Sequence, residues 1–149
     1  MKPKKKYLRD GRAPIPKNEK VSRVMSANRA KNTSPEMILR RGLSANNIRG
    51  YRLHWKSAPG RPDISFPGRK IAVFVNGCFW HHCQRCKFPL PKTHRLFWEK
   101  KFLKNKQRDK SKISLLRKND WKVLTVWEHE INNDLPKAIR KIAQAIRRS

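Results

Sequence analysis

Acidic residues are scarce in this sequence. Asp and Glu number ten in 149 residues, against 38 Lys and Arg, for a formal net charge of +28. A charge this one-sided repels itself, and a polyanion is its natural neutraliser. Nucleic acid fits, through phosphate contacts and counterion release. Long apolar runs are missing too. No stretch of 18 apolar residues occurs, which argues against a membrane span. No apolar signal-peptide core follows the basic start, so a secreted protein is not expected. The lysines are spread along the chain and not laid on one amphipathic helix, so a membrane surface is the weaker partner. Cysteine is limited to three residues within nine positions, a pattern of metal ligation in a reducing compartment and not of a disulfide framework. Apolar content is low at 37%, yet Leu, Ile, Val, Phe and Trp cluster between Val21 and Ile146, enough for one domain with its own core.

Residues 1–18 carry seven basic residues, one Asp and three prolines with almost no apolar periodicity, which predicts a disordered basic arm. The folded domain is expected over residues 19–149. From Lys20, the recurrence of Val21, Val24 and Met25 predicts a helix. Thr33, Pro35 and Glu36 form a helix-start signal resembling a capping box, with Met37, Ile38 and Leu43 as the apolar face and Asn46, Asn47 and Gly50 as the stop. Tyr51 to Trp55 reads as a strand, Asp63 to Phe66 as a short one, and Ile71 to Val75 as the central strand. A long helix follows the Cys-rich loop, with Leu96, Phe97, Leu103, Ile113, Leu115 and Leu116 as its inner stripe. Trp121 to Trp127 is a second buried strand, and Asp134 caps a last helix bearing Leu135, Ile139, Ile142 and Ile146. The order predicts a small α/β domain, with helices around a mixed sheet.

The stretch NGCFWHHCQRC, Asn76 to Cys86, spaces its thiols as C-x4-C-x2-C. Structural zinc wants four ligands. The fourth is open between His81, His82 and His129. His129 is favoured, because a distant ligand ties the loop to the sheet and a histidine between Cys78 and Cys83 closes a tight ring. With four protein ligands the ion folds the loop and does no chemistry. Phe79 and Trp80 then project on a rigid loop. They either pack inward or wedge between base pairs, and Trp98 faces the same choice. Among the few carboxylates, Asp63 ends the turn GRPD at the mouth of the apolar strand. A carboxylate there, with His81 and His82 just beyond the strand, suits a Mg²⁺ ligand with an adjacent proton carrier for phosphodiester cleavage.

GRPD, IAVFVNGCFWH, FWEKKFLKNKQRD and WKVLTVWEHE resemble the very-short-patch repair endonucleases, from about Lys20 to the C-terminus. The resemblance implies a restriction-endonuclease-like fold with a central mixed sheet flanked by helices. It implies nicking of one strand of duplex DNA, 5′ to the T of a T:G mismatch, with catalytic Mg²⁺ and structural Zn²⁺. Carried over by motif, Asp63 is the Mg²⁺ ligand, His81 the general base, Asp109 an aid to hydration or to an active-site histidine, and Glu36 an acidic residue near the site. Phe79, Trp80 and Trp98 are the wedge; Cys78, Cys83, Cys86 and His129 hold zinc. The pattern departs at Asn76, where the family type sequence has His. Asn hydrogen-bonds but does not trade protons near neutral pH, so proton transfer falls to His81. Cys83 stands where that sequence has His, Cys86 lies one residue further on, and His129 replaces a Cys; four ligands remain. The family habit implies a monomer acting in the cytoplasm at the nucleoid of a bacterium, or in a phage. The rivals are a nickase of the same fold with another target, a zinc-stabilised DNA binder without catalysis, and, more remotely, an RNA-directed protein.

Overall fold

The computed structural model describes residues 15–149; most of the basic arm expected over residues 1–18 lies outside the described residues. Asn18 opens the first helix, α1 (Glu19–Ala27), by accepting from the Val21 amide at 2.9 Å. Val21 and Val24 are exposed, and the Met25 side chain lies outside the described residues.

Thr33 caps α2 (Ser34–Ala45), accepting from the Glu36 amide. The Glu36 carboxylate reaches back to the Asn32 amide at 3.0 Å, one residue beyond the partner a capping box would use. The buried face of α2 is Glu36, Leu39, Gly42 and Leu43, while Met37 and Ile38 lie outside. Of the expected face only Leu43 is buried, because the inward line runs through a charged residue, Glu36, that apolar spacing does not mark. Here the carboxylate turns in and sets the rotation of the helix.

Strand β1 (Arg52–Leu53) is shorter than expected. His54 takes a left-handed φ of 45°, which ends the extension at once. β2 (Ile64–Phe66) and β3 (Ile71–Asn76) form a hairpin around a 3-10 turn, Pro67–Arg69. A loop then leads to α3 (Arg95–Lys118) and β4 (Lys122–Trp127). The chain ends in α4 (Glu128–Asn133), which was not anticipated, and α5 (Leu135–Arg147), capped by Asp134 as expected.

The sheet is mixed and ordered β1-β2-β3-β4. The first two pairings are antiparallel and β3–β4 is parallel, with Val75 opposite Val126 and Asn76 opposite Trp127. β3 is central, and Ile71, Ala72 and Val73 are fully buried, as a strand covered on both faces requires. Leu39 and Leu43 of α2, Ile131 of α4 and Ile139 and Ile142 of α5 complete one core with Ile64, Val73 and Val126. Gly42 lets α5 close in, since a Cβ there would stand 2.7 Å from Ile139 Cδ1.

α3 packs against β4. Of the stripe expected to face inward, Leu116 is buried and Phe97 and Ile113 are partly buried, but Leu96 is 74%, Leu103 58% and Leu115 47% exposed. The buried residues are Trp98, Phe102, Asn105 and Leu116. Continued at steps of three and four, that line passes through Asp109 and Lys112, both partly buried. A search for apolar spacing misses a stripe whose middle is polar. Among the described residues, no helix is long and apolar enough to cross a membrane.

Candidate active site and metal centre

The turn before β2 carries Asp63. Gly60 and Arg61 both take positive φ, 69° and 49°, and so swing the carboxylate back over β3. Asp63 Oδ2 accepts from the Val75 amide at 2.7 Å. Oδ1 faces His54 Nδ1 at 3.8 Å, and the His54 amide donates to the Asp63 carbonyl at 3.1 Å. On its other side, His54 Nε2 lies 3.2 Å from Glu36 Oε2 and 3.0 Å from Arg40 Nη2. Arg40 also donates to Glu36 at 3.0 Å, so the buried Glu36 is paired. Ligand atoms of Glu36, His54 and Asp63 all lie within 4.8 Å of one another. Burial pushes Asp63 above the ordinary carboxylate range and Glu36 adds to this, while the Val75 amide, His54 and Lys112 oppose it.

His54 and Arg40 escaped the sequence reading. His54 sits in a segment taken for plain strand, and Arg40 is one of 38 basic residues. The one sequence signal was the Glu36–Arg40 spacing of four on a helix.

Beyond β3, His81 Nδ1 meets Asp109 Oδ2 at 2.5 Å. The carboxylate can only accept, so Nδ1 donates, and in a neutral ring Nε2 is then the nitrogen that bears the lone pair. The His81 ring stands edge-on to Trp127, 6.4 Å between centroids, at the end of β4. Asn76 ends β3 opposite Trp127, one residue past the amide that anchors Asp63. Glu36 and Asp63 therefore form one group with His54, and His81 and Asp109 a second.

His129, and neither His81 nor His82, stands with the thiols. Its Nδ1 lies 3.3 Å from Cys78 Sγ and 3.5 Å from both Cys83 and Cys86 Sγ. All four donor atoms lie within 4.8 Å of each other, so the set can hold a four-coordinate metal ion. Burial pushes the Cys78 thiol up to about 12, with Cys86 and Cys83 adding to it. Burial also raises Cys83, but hydrogen bonds from the Cys86 and Arg85 amides and from the Cys86 and Cys78 side chains together outweigh it and leave this thiol below its usual value. Glu128 secures the loop from β4's end by accepting from the Cys78 amide at 3.0 Å.

Phe79 packs edge-on against Trp80 and Trp98, with centroids 5.2 and 5.4 Å away. Phe79 and Trp80 are half-buried and Trp98 buried beneath them. Asn105 donates to the Trp80 carbonyl at 2.9 Å and so fastens this loop to α3.

Residues 14–87 match the family model described as DNA mismatch endonuclease Vsr. The chain is 40% identical over 111 residues to the type II nicking enzyme V.XorIIP of Xanthomonas oryzae pv. oryzae, covering 74% of this chain and 80% of that one. It is 40% identical over 134 residues to the type II nicking enzyme V.NaeI of Lentzea aerocolonigenes, covering 87% and 80%. It is 37% identical over 107 residues to DNA mismatch endonuclease Vsr of Escherichia coli K12, covering 72% and 68%. With a carboxylate cluster and an Asp–His pair in a strongly basic α/β domain, the protein is a DNA endonuclease of the nicking class. It belongs to the Vsr DNA mismatch endonuclease family.

Proposed function

We propose that the protein nicks duplex DNA 5′ to the T of a T:G mismatch, using Mg²⁺ at Asp63 and a structural Zn²⁺ on Cys78, Cys83, Cys86 and His129. The observation that carries this reading is the placement of the Asp63 cluster and the His81–Asp109 pair beside one strand end, next to an aromatic loop fastened by thiols. The domain, residues 19–149, is read as restriction-endonuclease-like and monomeric, with the basic arm adding sequence-independent affinity.

The donor sets fit these ions. Zinc bonds of about 2.3 Å to sulfur and 2.0–2.1 Å to nitrogen, at a tetrahedral angle, put S and N about 3.6 Å apart. The observed separations are 3.3–3.5 Å. Four protein ligands leave no position for substrate, so that ion has a structural role. At Asp63 the donors are hard oxygens with one imidazole, and the raised carboxylate is one whose charge a cation would relieve.

Bound at Asp63, Mg²⁺ supplies Lewis-acid stabilisation of the charge that builds on the phosphate. The chain's own residues do the rest. Lys and Arg side chains hold the backbone. Phe79 and Trp80, supported by Trp98, enter the stack at a step that mispairing has already weakened, at an unstacking cost of a few kcal/mol. His81 Nε2 takes the proton of the attacking water as the new P–O bond forms and the bond to the leaving sugar oxygen breaks, that oxygen taking its proton from solvent, while Asp109 holds the imidazole in that tautomer and balances its charge. Asn76 donates a hydrogen bond near the phosphate without exchanging a proton.

Nicking of labelled T:G, other mismatched and matched duplexes, with and without Mg²⁺, tests the proposal. It expects a Mg²⁺-dependent nick confined to T:G and lost in Asp63→Ala. The relatives' description as type II nicking enzymes favours a second reading, a nickase with another target. That reading expects matched duplex to be nicked equally well.

A further inference from the structure

We infer that Lys112 is a catalytic residue of the nicking reaction, its ammonium meeting a non-bridging oxygen of the phosphate that is cleaved at Asp63. The inference rests on the reading of Asp63 as the centre of the site.

Lys112 follows Asp109 by three residues on the inward line of α3, so the helix that holds His81 also presents a cation on the same face. Its stem is placed by packing. A Cβ on Gly60 would stand 3.1 Å from Lys112 Cβ and 3.3 Å from its carbonyl oxygen. Only a glycine at positive φ lets α3 run this close to the turn that carries Asp63. At the other end, Nζ lies 6.0 Å from the centroid of Phe74, the residue before the Val75 amide that anchors Asp63. Lys112 thus sits between the turn that carries Asp63 and the strand whose next amide anchors it. No ion pair holds the ammonium among the described residues, although Asp109 beside it is paired to His81.

A lysine with a packed stem and an unpaired head, beside a half-buried carboxylate, is disposed to receive an anion. A phosphate oxygen is the anion a DNA nicking reaction brings, and an ammonium suits it as a point charge. Charge on that oxygen grows toward the transition state. A donor already in place therefore acts on the rate more than on binding, on the order of 10²–10³-fold for one such contact.

The test uses the full zinc-loaded chain on the best-nicked duplex. Single-turnover rates are measured at saturating protein, and Kd is measured without Mg²⁺. Lys112→Met is expected to slow nicking about 10²-fold or more while Kd moves less than about threefold. Lys112→Arg should recover at least about tenfold of that loss, and Lys112→Gln provides a second neutral variant if Met fails to fold. Lys118→Met, at the far end of α3, controls for net charge. The inference falls if both neutral variants nick within threefold of the parent. It falls equally if more protein or Mg²⁺ restores their rate, or if Arg is no better than Met. Asp63→Ala separates the two readings. Full nicking by that variant removes the proposed centre, whereas an inactive Asp63→Ala beside an active Lys112→Met removes only Lys112.

Discussion

Around Cys78, three thiols and the His129 imidazole close on a single point, with Cys78 and Cys83 buried. Around Asp63, two carboxylates and His54 surround a space that stays partly open, and the Asp63 side chain is 21% exposed. Each cluster joins a loop to a helix, Glu36 on α2 in one and His129 on α4 in the other, yet they differ in softness, in completeness and in what their own chain can do for them. The thiol set is complete in itself and needs only a soft ion. The Asp63 set is short of ligands, and its charge is incompletely compensated. In the proposed reading, the closed set fastens the loop and the open one is left for substrate.

The sharpest way to break this comparison is to remove the open site alone. Asp63→Ala is expected to lose at least about 10³-fold in single-turnover nicking, while metal analysis finds its zinc content unchanged. Next comes the proton carrier. His81→Ala should lose about 10²–10⁴-fold, the usual range for general acid–base groups. Asp109→Asn, which leaves the imidazole tautomer free, should lose less, about 10–10²-fold; equal losses in a rate assay would instead make Asp109 a direct participant. The closed site gives the opposite signature. His129→Ala should weaken zinc at least about 10²-fold in a competition titration and lower the Tm. Its nicking should fall through the loosened aromatic loop and not through the Asp63 cluster.

The smallest effect concerns stability. Burial raises the folded pKa of Asp63 above its ordinary 3.8. The folded state then holds the proton more tightly than the unfolded state does. The stability this group confers is full below 3.8 and is lost as pH rises through the raised value. Asp63→Asn carries no charge and escapes that loss. Without metal at neutral pH, its Tm should exceed the parent's by a few degrees, and the gap should close below pH 3.8. A gap that is independent of pH would assign the difference to packing.

Much of this was readable beforehand where residue type and chemistry agree. Ile71 to Val75 announced a buried strand, the thiol spacing announced a cluster of donor atoms, and Asp134 announced a cap. Reading failed where a polar residue turned inward. Glu36 rotated α2 away from its most apolar line, and Asn105, Asp109 and Lys112 filled the middle of the α3 stripe. His54 was missed because its role depends on a left-handed backbone that stops β1 and aims the ring between two carboxylates. Glu128 and α4 went unassigned, because nothing local marks an acidic side chain as the partner of the Cys78 amide, fifty positions earlier. In each case the partner that explains the residue is distant in sequence.

One experiment addresses the division between the two clusters directly. Zinc-loaded parent and Asp63→Ala proteins are assayed on T:G duplex in Mg²⁺-free buffer and then across a Mg²⁺ titration, with zinc measured on the same samples. The account expects one zinc per chain in both proteins, no nick before Mg²⁺ is added, and a nick that rises with Mg²⁺ in the parent alone. Nicking that persists without Mg²⁺, or that follows zinc content and ignores Asp63, would contradict it.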